Sequence, residues 1–304
     1  MKKRIDAATR ANKKGLSIAF ICKVMGVARS SYYFQKKATQ KKLQDDDLAE
    51  KIAHIQQSFF FTIGRRRMPS LLKKEFDIDV GESQTQRIMS TYRLSARIRQ
   101  VRKVKPYAGK AYQGTLPDNV LNREFEAQAP LEKLVTDVTY VPYYEHGQWH
   151  WGYLSLVQDL FDRSIVAWIF GRKQDVSLSL KTLHILSFKG VKPGALLHSD
   201  RGSIYTSSAF RDLLKIMGIQ QSFSRAGNCH DNATMECFNG TFKIEALYNS
   251  LWAKEQPSFL EQNALIADYI DFYNHKRPSS VLKNMAPSQY KSEFLENQKL
   301  THVQ

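Results

Sequence analysis

The sequence predicts an α/β domain, with a mixed β-sheet flanked by helices, preceded by all-α segments that are helix-turn-helix-like. From about residue 130, three strand-like segments follow one another through short turns, and helices then alternate with strands. Leading strands followed by this alternation are typical of a mixed sheet covered by helices. Before residue 100, short helices of apolar periodicity are separated by turns. A chain of 304 residues has room for two or three domains.

Changes in composition divide the chain into five predicted regions. The ranges are 1–40 for a helical, helix-turn-helix-like segment, 41–100 for a second segment of that type, 101–125 for a basic linker, 126–250 for the α/β core, and 251–304 for a C-terminal helix and tail. The linker contains four proline or glycine residues among lysines and arginines, so it either follows DNA or serves only as a tether.

The first helical pair is predicted around Gly26. Ile18–Val24 is an apolar helix, Gly26 makes the turn, and a second helix opens at Ala28. A helix that contacts DNA bases begins with small or polar side chains, and Ser30 and Ser31 meet that requirement. An ordinary helical hairpin is the alternative interpretation.

The second helical pair is predicted at Pro69–Phe76 and Ser83–Tyr92, around the turn Asp77–Gly81. Arg65, Arg66 and Arg67 precede this pair as basic residues suited to DNA phosphates, and Arg87, inside its second helix, is a further candidate for DNA contact. Again, two hairpins that merely contact each other would give the same pattern.

Positive charge is concentrated in the first part of the chain. Residues 1–130 hold 27 Lys and Arg against 12 Asp and Glu, whereas residues 131–304 hold 18 against 17. Basic clusters neutralise phosphates and release counterions, so the asymmetry favours a DNA-binding N-terminal part joined to a nearly neutral domain. Lysines that only solvate exposed helices are the alternative.

The core elements are predicted in the order of the chain. The strands are Leu134–Val141, Gly152–Gln158, Arg163–Ile169, Ala195–His198 and Ile219–Ser222, and the helices are Leu178–Phe188, Ser208–Met217 and one from Asn232. An amphipathic helix is predicted at Pro257–Tyr273.

Three acidic residues stand in distinct settings within this core. Asp137 lies inside a β-branched strand, where an unpaired buried carboxylate is costly. Asp200 ends an apolar strand before a glycine turn, and Glu236 lies early in a helix whose apolar residues predict that it borders the buried face. Such acids can converge on divalent cations, because Mg²⁺ prefers carboxylate oxygens. Two ions roughly 3.5–4 Å apart stabilise both the attacking and the leaving oxygen of a phosphodiester displacement.

An ordered set of motifs resembles bacterial insertion-sequence transposases whose catalytic core is similar to that of retroviral integrases. The resemblance covers about residues 16–290. More specifically, the chain resembles the downstream-frame product of elements that encode their transposase in two overlapping reading frames. The matching stretches are Asn122–Phe125, Thr136–Tyr140, His198–Ser203, Ser224–Cys229, Asp231–Ala233, Met235–Glu236 and Tyr273–Asn274. One departure is Asn239, where the family usually has a second aromatic residue after Phe238.

The resemblance implies a ribonuclease-H-like core and a metal-dependent DDE transposase. Asp137, Asp200 and Glu236 would hold two Mg²⁺ ions, which Mn²⁺ can replace, for cleavage at the element ends and strand transfer. Lys243, two helical turns after Glu236, would hold a DNA phosphate, although a plain surface lysine fits the same position. Arg225 and Asn228 are further expected DNA contacts, in the loop before the catalytic helix.

The expected partners are DNA, as terminal inverted repeats and target, and further copies of the chain on that DNA. The two-frame organisation also implies a fusion to the upstream-frame product or a partnership with it. Three cysteines without a CxxC pair and the lack of a long apolar run predict a cytoplasmic protein, associated with the nucleoid when bound to DNA, and no membrane partner.

Two other functions fit parts of this pattern. A degenerate copy would be a non-catalytic DNA-binding regulator of transposition, and a nicking assay with Mg²⁺ separates the two. A cellular nuclease of the same fold would carry a fourth site acid, for which Asp159 and Asp162 are candidates, although both are predicted as turn residues.

Overall fold

A computed structural model describes residues 7–8, 11–12, 15–96, 117–225, 229–249 and 253–301. The chain divides into two compact units, Met1–Ala96 and Arg97–Gln304. Part of the predicted linker, residues 101–116, and the predicted DNA contact Asn228 lie outside the described residues. In the described segments, no helix is both long enough and apolar enough to cross a membrane.

The first helical pair of the N-terminal unit consists of α1 (Ile18–Met25) and α2 (Arg29–Ser58). The Ser17 side chain caps α1, and Gly26 ends it with a left-handed φ of 63°, which glycine adopts without steric cost. Ile21, Cys22, Val27 and Tyr32 form the small core between these helices. The predicted pair around Gly26 is therefore present.

The second helical pair consists of α3 (Met68–Phe76) and α4 (Glu82–Thr91), joined by the predicted turn. Both helices bury apolar residues against the C-terminal part of α2, and this core is formed by Leu48, Ile52, Ile55, Met68, Leu72, Ile88 and their neighbours. The turn begins at Asp77, which has a left-handed φ of 54°.

Helix α2 connects the two small cores without interruption. Its residues 36–44 are exposed on every side, so this stretch bridges solvent as a continuous helix. The boundary predicted between residues 40 and 41 falls inside this helix. Because lysines, glutamines and alanine favour helix, the polar stretch continues the helix rather than ending a domain.

The C-terminal unit contains a five-stranded sheet in the order β3-β2-β1-β4-β5. The strands are β1 (Lys133–Glu145), β2 (Gln148–Asp159), β3 (Ile165–Gly171), β4 (Leu196–Ser199) and β5 (Gln220–Phe223). The first three are antiparallel neighbours, while β4 and β5 run parallel to β1. This mixed sheet confirms the predicted fold class.

Strand β1 extends beyond the predicted end at Val141. Pro142 continues the pairing with β2, opposite Trp151. Two residues later, the N–H of Tyr144 points away from β2 and donates to the Pro257 carbonyl. The nitrogen of Pro142 faces that same outer edge, so the proline removes no hydrogen bond from the β1–β2 ladder.

Helices cover the sheet, and one of them was not predicted. They are α5 (Val176–Ser187), α6 (Ser208–Ile216), α7 (Ala233–Phe242), α8 (Phe259–His275) and α9 (Pro287–Thr301). The predicted C-terminal tail is largely helical, since α9 occupies residues 287–301. Phe161 contacts the aromatic rings of Tyr290 and Phe294, which holds α9 against the core.

Candidate active site

The strand register places Asp137 and Asp200 side by side. Strand β4 pairs in parallel with β1 up to Val135 opposite His198. Continuing this register by two residues sets Asp137 level with Asp200, immediately after β4 ends. Parallel neighbours lie roughly 4.8 Å apart and level residues point to the same face. The topology therefore brings the two predicted acids together.

Asp137 is partly buried on β1 and lies in a negative field. Burial and the charge of Asp200 raise the pKa of Asp137 to about 7. Glu236 acts in the same direction, whereas the positive charge of Lys243 opposes it. A raised pKa means that burial and the neighbouring acids outweigh Lys243.

Asp200 forms the turn that follows β4. The N–H of Gly202 donates to the Asp200 Oδ1 atom at 2.9 Å. A Cβ atom at Gly202 would lie 2.9 Å from the same oxygen, so any larger residue there would displace the carboxylate. Asp200 as a whole is exposed, but desolvation of its carboxylate by surrounding protein atoms raises its pKa, and the Gly202 hydrogen bond partly offsets this.

Glu236 lies on α7, which follows β5 as predicted. The buried face of α7 consists of Met235, Phe238 and Phe242, each at most 2 % exposed. Glu236 itself is exposed, so the prediction that it borders the buried face is wrong. It lies one position from Met235, which turns its side chain about 100° away from the apolar stripe.

Glu236 and Lys243 lie on one face of α7, separated by two turns. Lys243 is partly buried and begins a short π-helix, Lys243–Leu247. Burial lowers the pKa of Lys243, while the Asp137 charge raises it. Lys243 and Asp137 are close enough for their charges to affect each other's pKa, as the predicted position of Lys243 near the acids requires. The contact of Lys243 with DNA stays a prediction.

The donor chemistry of the site fits a divalent cation. All three acids offer carboxylate oxygens, which Mg²⁺ and Mn²⁺ bind. Among the described residues, however, no three acidic, histidine or cysteine side chains are close enough to enclose a metal ion. The charges of Asp200 and Glu236 raise the pKa of Asp137, but the three carboxylates are not gathered around one point. Like charges repel, so this separation is expected for carboxylates without a cation.

Asp231 lies just before α7 and bonds both Arg225 and Arg123. It is fully buried, and its Oδ2 atom accepts hydrogen bonds from the Arg225 backbone N–H at 2.9 Å and from the Arg225 Nε at 3.0 Å. Arg123 Nε donates to the other oxygen at 2.8 Å, and Asn119 adds a further bond. The Arg225 guanidinium lowers the pKa of Asp231 below its usual range. Asp231 belongs to one of the stretches that carry the resemblance, but its ion pairs were not predicted, because Arg123 lies 108 positions away.

Of the two candidate fourth acids, Asp159 is the last residue of β2 and Asp162 lies in the turn that follows it. Both are buried. Asp159 accepts the N–H groups of Leu131 and Phe161, and Asp162 accepts the N–H of Ser164. They therefore stabilise this turn, as the turn prediction has it.

His198, two residues before Asp200, is buried between two serine hydroxyls. Its ring nitrogens lie 2.8 Å from the Ser222 Oγ and 3.0 Å from the Ser224 Oγ. Burial lowers the pKa of His198 to about 4, so the ring is neutral near pH 7. It ties β4 to β5 beside the site.

Comparison with known proteins identifies the family. Two models described as integrase core domain match residues 127–229 and 217–287. InsK of Escherichia coli strain K12, named as a candidate transposase of insertion sequence element IS150, is 34% identical over 269 residues, covering 88% of this chain and 90% of that protein. The chain belongs to the insertion-sequence transposases with an integrase core.

Other relatives of this transposase give the same pattern. A 31 kDa protein of insertion element IS600 from Shigella sonnei is 34% identical, over 90% of this chain and 98% of that protein. A candidate transposase of IS986/IS6110 from Mycobacterium tuberculosis is 27% identical over 89% and 96%. A chain of the simian T-cell lymphotropic virus intasome in complex with PP2A regulatory subunit B56 gamma is a distant structural neighbour, with a TM-score of 0.45, 13% identity and coverage of 79% and 74%.

Among the described residues expected to contact DNA, some form side-chain hydrogen bonds or ion pairs within the protein, and others do not lie in such contacts. Arg87 forms a bidentate ion pair with Asp45, at 2.6 and 2.7 Å. Arg67 donates to the Thr62 carbonyl at 2.6 Å, and Arg225 is engaged by Asp231 as described. These three guanidinium groups already have partners within the protein, and their contact with DNA stays a prediction.

The other expected contacts lie at the protein surface. Arg65, Arg66 and Ser30 are exposed, and Ser31 is partly buried in the first turn of α2. Their predicted contact with DNA stays a prediction.

The raised pKa of Asp137 predicts how stability depends on pH. Unfolded aspartate titrates near 4, whereas folded Asp137 titrates at about 7. Between these values folded Asp137 binds more protons than unfolded Asp137, so its contribution to the free energy of unfolding of the ion-free transposase falls as pH rises from about 4 to about 7. Asp137→Asn removes this dependence.

Urea unfolding in EDTA, followed by tryptophan fluorescence, measures this effect. All four tryptophans belong to the C-terminal unit, at positions 149, 151, 168 and 252, so the signal reports that unit alone. The stability gained by Asp137→Asn over the native sequence should increase from pH 5 to pH 7.5. An equal difference at both pH values would contradict the assignment.

Proposed function

We propose that this transposase cleaves DNA at the ends of its insertion sequence and transfers the freed ends to target DNA. Asp137, Asp200 and Glu236 hold the divalent cations that the chemistry requires. The proposal rests on one observation: the parallel register of β1 and β4 sets Asp137 level with Asp200, where the charges of Asp200, Glu236 and Lys243 act on it. A carboxylate whose pKa is strongly perturbed by burial and by neighbouring charges is typical of functional sites.

The roles of the acids follow from their positions. Asp137 is influenced by the charges of both other acids and would contact both ions, with Asp200 and Glu236 each contacting one. When bound, two such ions stabilise the charge that develops on the phosphate and on the entering and leaving oxygens. The protein contributes the fixed placement of its carboxylates, because β1 and β4 are held in register and Gly202 holds Asp200.

The remaining side chains bind and orient DNA. Lys243 places a positive charge beside Asp137, where it would hold a phosphate near the reacting bond. Water is the nucleophile of the cleavage step, and the exposed 3′-hydroxyl is the nucleophile of strand transfer. The mechanism therefore requires no covalent bond between protein and DNA.

A cleavage assay with labelled element ends tests this function. The full chain is incubated with end-labelled DNA carrying the terminal inverted repeat, with Mg²⁺ or with EDTA. We expect a nick at the element end that leaves a 3′-hydroxyl, only with Mg²⁺, and joined products when target DNA is added. Binding without any cleavage in Mg²⁺ would instead support a non-catalytic regulator.

The N-terminal unit would recognise the element ends. Its two helix-turn-helix pairs carry exposed basic residues, and α2 joins them as one helix. The transposase would act as a homo-oligomer on DNA, because transposition joins two ends, and in the bacterial cytoplasm, where this DNA is. The downstream-frame resemblance adds the upstream-frame product as a fusion or partner.

Removal of two exposed arginines tests the contribution of this unit. The Arg65→Ala, Arg66→Ala double variant should bind element ends about tenfold more weakly at physiological salt, because two phosphate contacts are lost. The salt dependence of log K should become less steep by about 2. Titration of labelled DNA by fluorescence anisotropy at several salt concentrations measures both quantities.

A control variant removes the same amount of charge elsewhere. Lys189 and Lys192 are exposed near the end of α5, in the other unit. Lys189→Ala, Lys192→Ala should leave the salt dependence unchanged. Equal losses in the two double variants would show that net charge alone, and not the helix-turn-helix unit, determines binding.

A further inference from the structure

Asn239 lies on α7 between the two residues expected to serve the reaction. It follows Glu236 by three positions and precedes Lys243 by four, so the three side chains occupy one face of the helix. Only 8 % of Asn239 is exposed. Its Nδ2 atom donates to the Oδ2 atom of Asp137 at 2.8 Å.

This hydrogen bond constrains the direction of the Asp137 carboxylate. A carboxamide nitrogen only donates and an ionised carboxylate only accepts, so the bond has one polarity. It occupies one oxygen of Asp137 and limits rotation of the carboxylate about its Cβ–Cγ bond. The other oxygen is then held in a fixed direction.

A second asparagine fixes the same helix against the same strand. Asn232, seven residues before Asn239, donates to the Thr136 carbonyl at 3.3 Å. Asn232 and Asn239, two helical turns apart, thus bond the adjacent β1 residues Thr136 and Asp137. Glu236 lies between them, so its backbone is held at a constant distance from Asp137.

The carboxamide oxygen of Asn239 can accept hydrogen bonds, and none is formed to it by the described residues. The oxygen is also buried. Buried polar atoms generally find a protein group, a water molecule or a ligand. This oxygen belongs to the same amide group that contacts Asp137, so a water or ligand bound there would lie beside the acids.

We propose that Asn239 is a positioning residue of the active site, which orients the Asp137 carboxylate toward the divalent cation. The inference rests on the proposed function, because it assigns a partner to one of the proposed ligands. Partners of this kind contribute to metal affinity because they fix ligand orientation, and their removal typically costs about 10–100-fold. A purely structural role, as a link between α7 and β1, would leave cation affinity unchanged.

Mn²⁺ binding to the full chain tests this assignment without relying on activity. Asn239→Leu keeps the size of the side chain and removes the donor, so the Kd for Mn²⁺ measured by calorimetry should rise about tenfold or more. The matched control is Asn274→Leu, at the end of α8. Within the described residues, the Asn274 side chain bonds the backbone of Ile165 alone, at 2.9 and 3.0 Å, and its loss should change the Mn²⁺ affinity less than twofold.

Asn239→Asp provides a second test that does not depend on the fold of the leucine variant. It places another negative charge at hydrogen-bond distance from Asp137, so the Tm of the ion-free protein should fall. Saturating Mn²⁺ should then raise the Tm by more degrees than in the native protein, because the cation neutralises the repulsion. An Mn²⁺-induced rise equal to that of the native protein would overturn the proposal.

The outcomes separate this inference from the proposed function. Native protein that binds Mn²⁺ while Asn239→Leu keeps its Kd within twofold would refute the role of Asn239 alone. An equal loss of affinity in Asn274→Leu would reduce Asn239 to a structural residue. Native protein without Mn²⁺ binding would refute the acidic site itself, and the inference with it.

Discussion

Asp137→Asn will lower the rate of Mg²⁺-dependent cleavage at element ends by at least about a thousandfold. The substitution preserves the shape of the side chain and removes the charge shared by both expected ions. Metal stabilisation of a phosphoryl transition state contributes several kcal/mol, and each 1.4 kcal/mol corresponds to about tenfold in rate. Single-turnover cleavage of labelled element ends measures this loss.

Binding of the same DNA should be largely retained in this variant, because the expected recognition surfaces lie in the N-terminal unit. The control is Asp212→Asn on α6, which removes an acid whose side chain is 65% exposed and should cleave normally. Asp137→Asn protein that nicks element ends at the native rate would refute the assignment of the catalytic acids.

Glu245→Gln should destabilise the C-terminal unit by about 3–5 kcal/mol, because it leaves the buried Arg277 guanidinium without its counter-charge. Glu245 lies in the π-helix after α7, and its oxygens accept bonds from Arg277 at 2.7 and 2.8 Å and from the Tyr269 hydroxyl at 3.0 Å. The side chains of the pair are only 14% and 9% exposed. Urea unfolding followed by tryptophan fluorescence measures the loss.

A double variant separates the lost charge from the lost contact. Glu245→Leu, Arg277→Leu removes both charges together and should be more stable than Glu245→Leu alone, since no buried charge is left uncompensated. Asp212→Asn, which breaks an exposed pair with Lys215, should hardly move the urea midpoint. A Glu245→Gln urea midpoint equal to that of the native protein would show that the Glu245–Arg277 pair does not stabilise the C-terminal unit.

The sheet was predictable because its elements have strong local patterns. Asp137 stands out in a β-branched strand and Asp200 precedes a glycine turn, so both positions in the fold followed from the sequence. Their neighbouring levels on β1 and β4 then follow from the register of parallel strands. Helix α9 was missed because its sequence is mostly polar, and its contact with Phe161 is a tertiary feature.

Other parts of the site depend on contacts between distant residues. Asp231 bonds Arg123, which lies 108 positions away, and Asn239 bonds Asp137 across 102 positions. No local pattern marks either pair. The exposure of Glu236 was predicted wrongly because its apolar neighbours indicated only where the buried face lies, and not how sharply that face ends.

Anomalous diffraction from crystals of the full chain soaked in Mn²⁺ tests the central claim most directly. We predict Mn²⁺ peaks among the carboxylates of Asp137, Asp200 and Glu236, at ordinary oxygen-ligand distances. Native crystals in which Mn²⁺ binds only elsewhere, with these carboxylates still apart, would contradict the account.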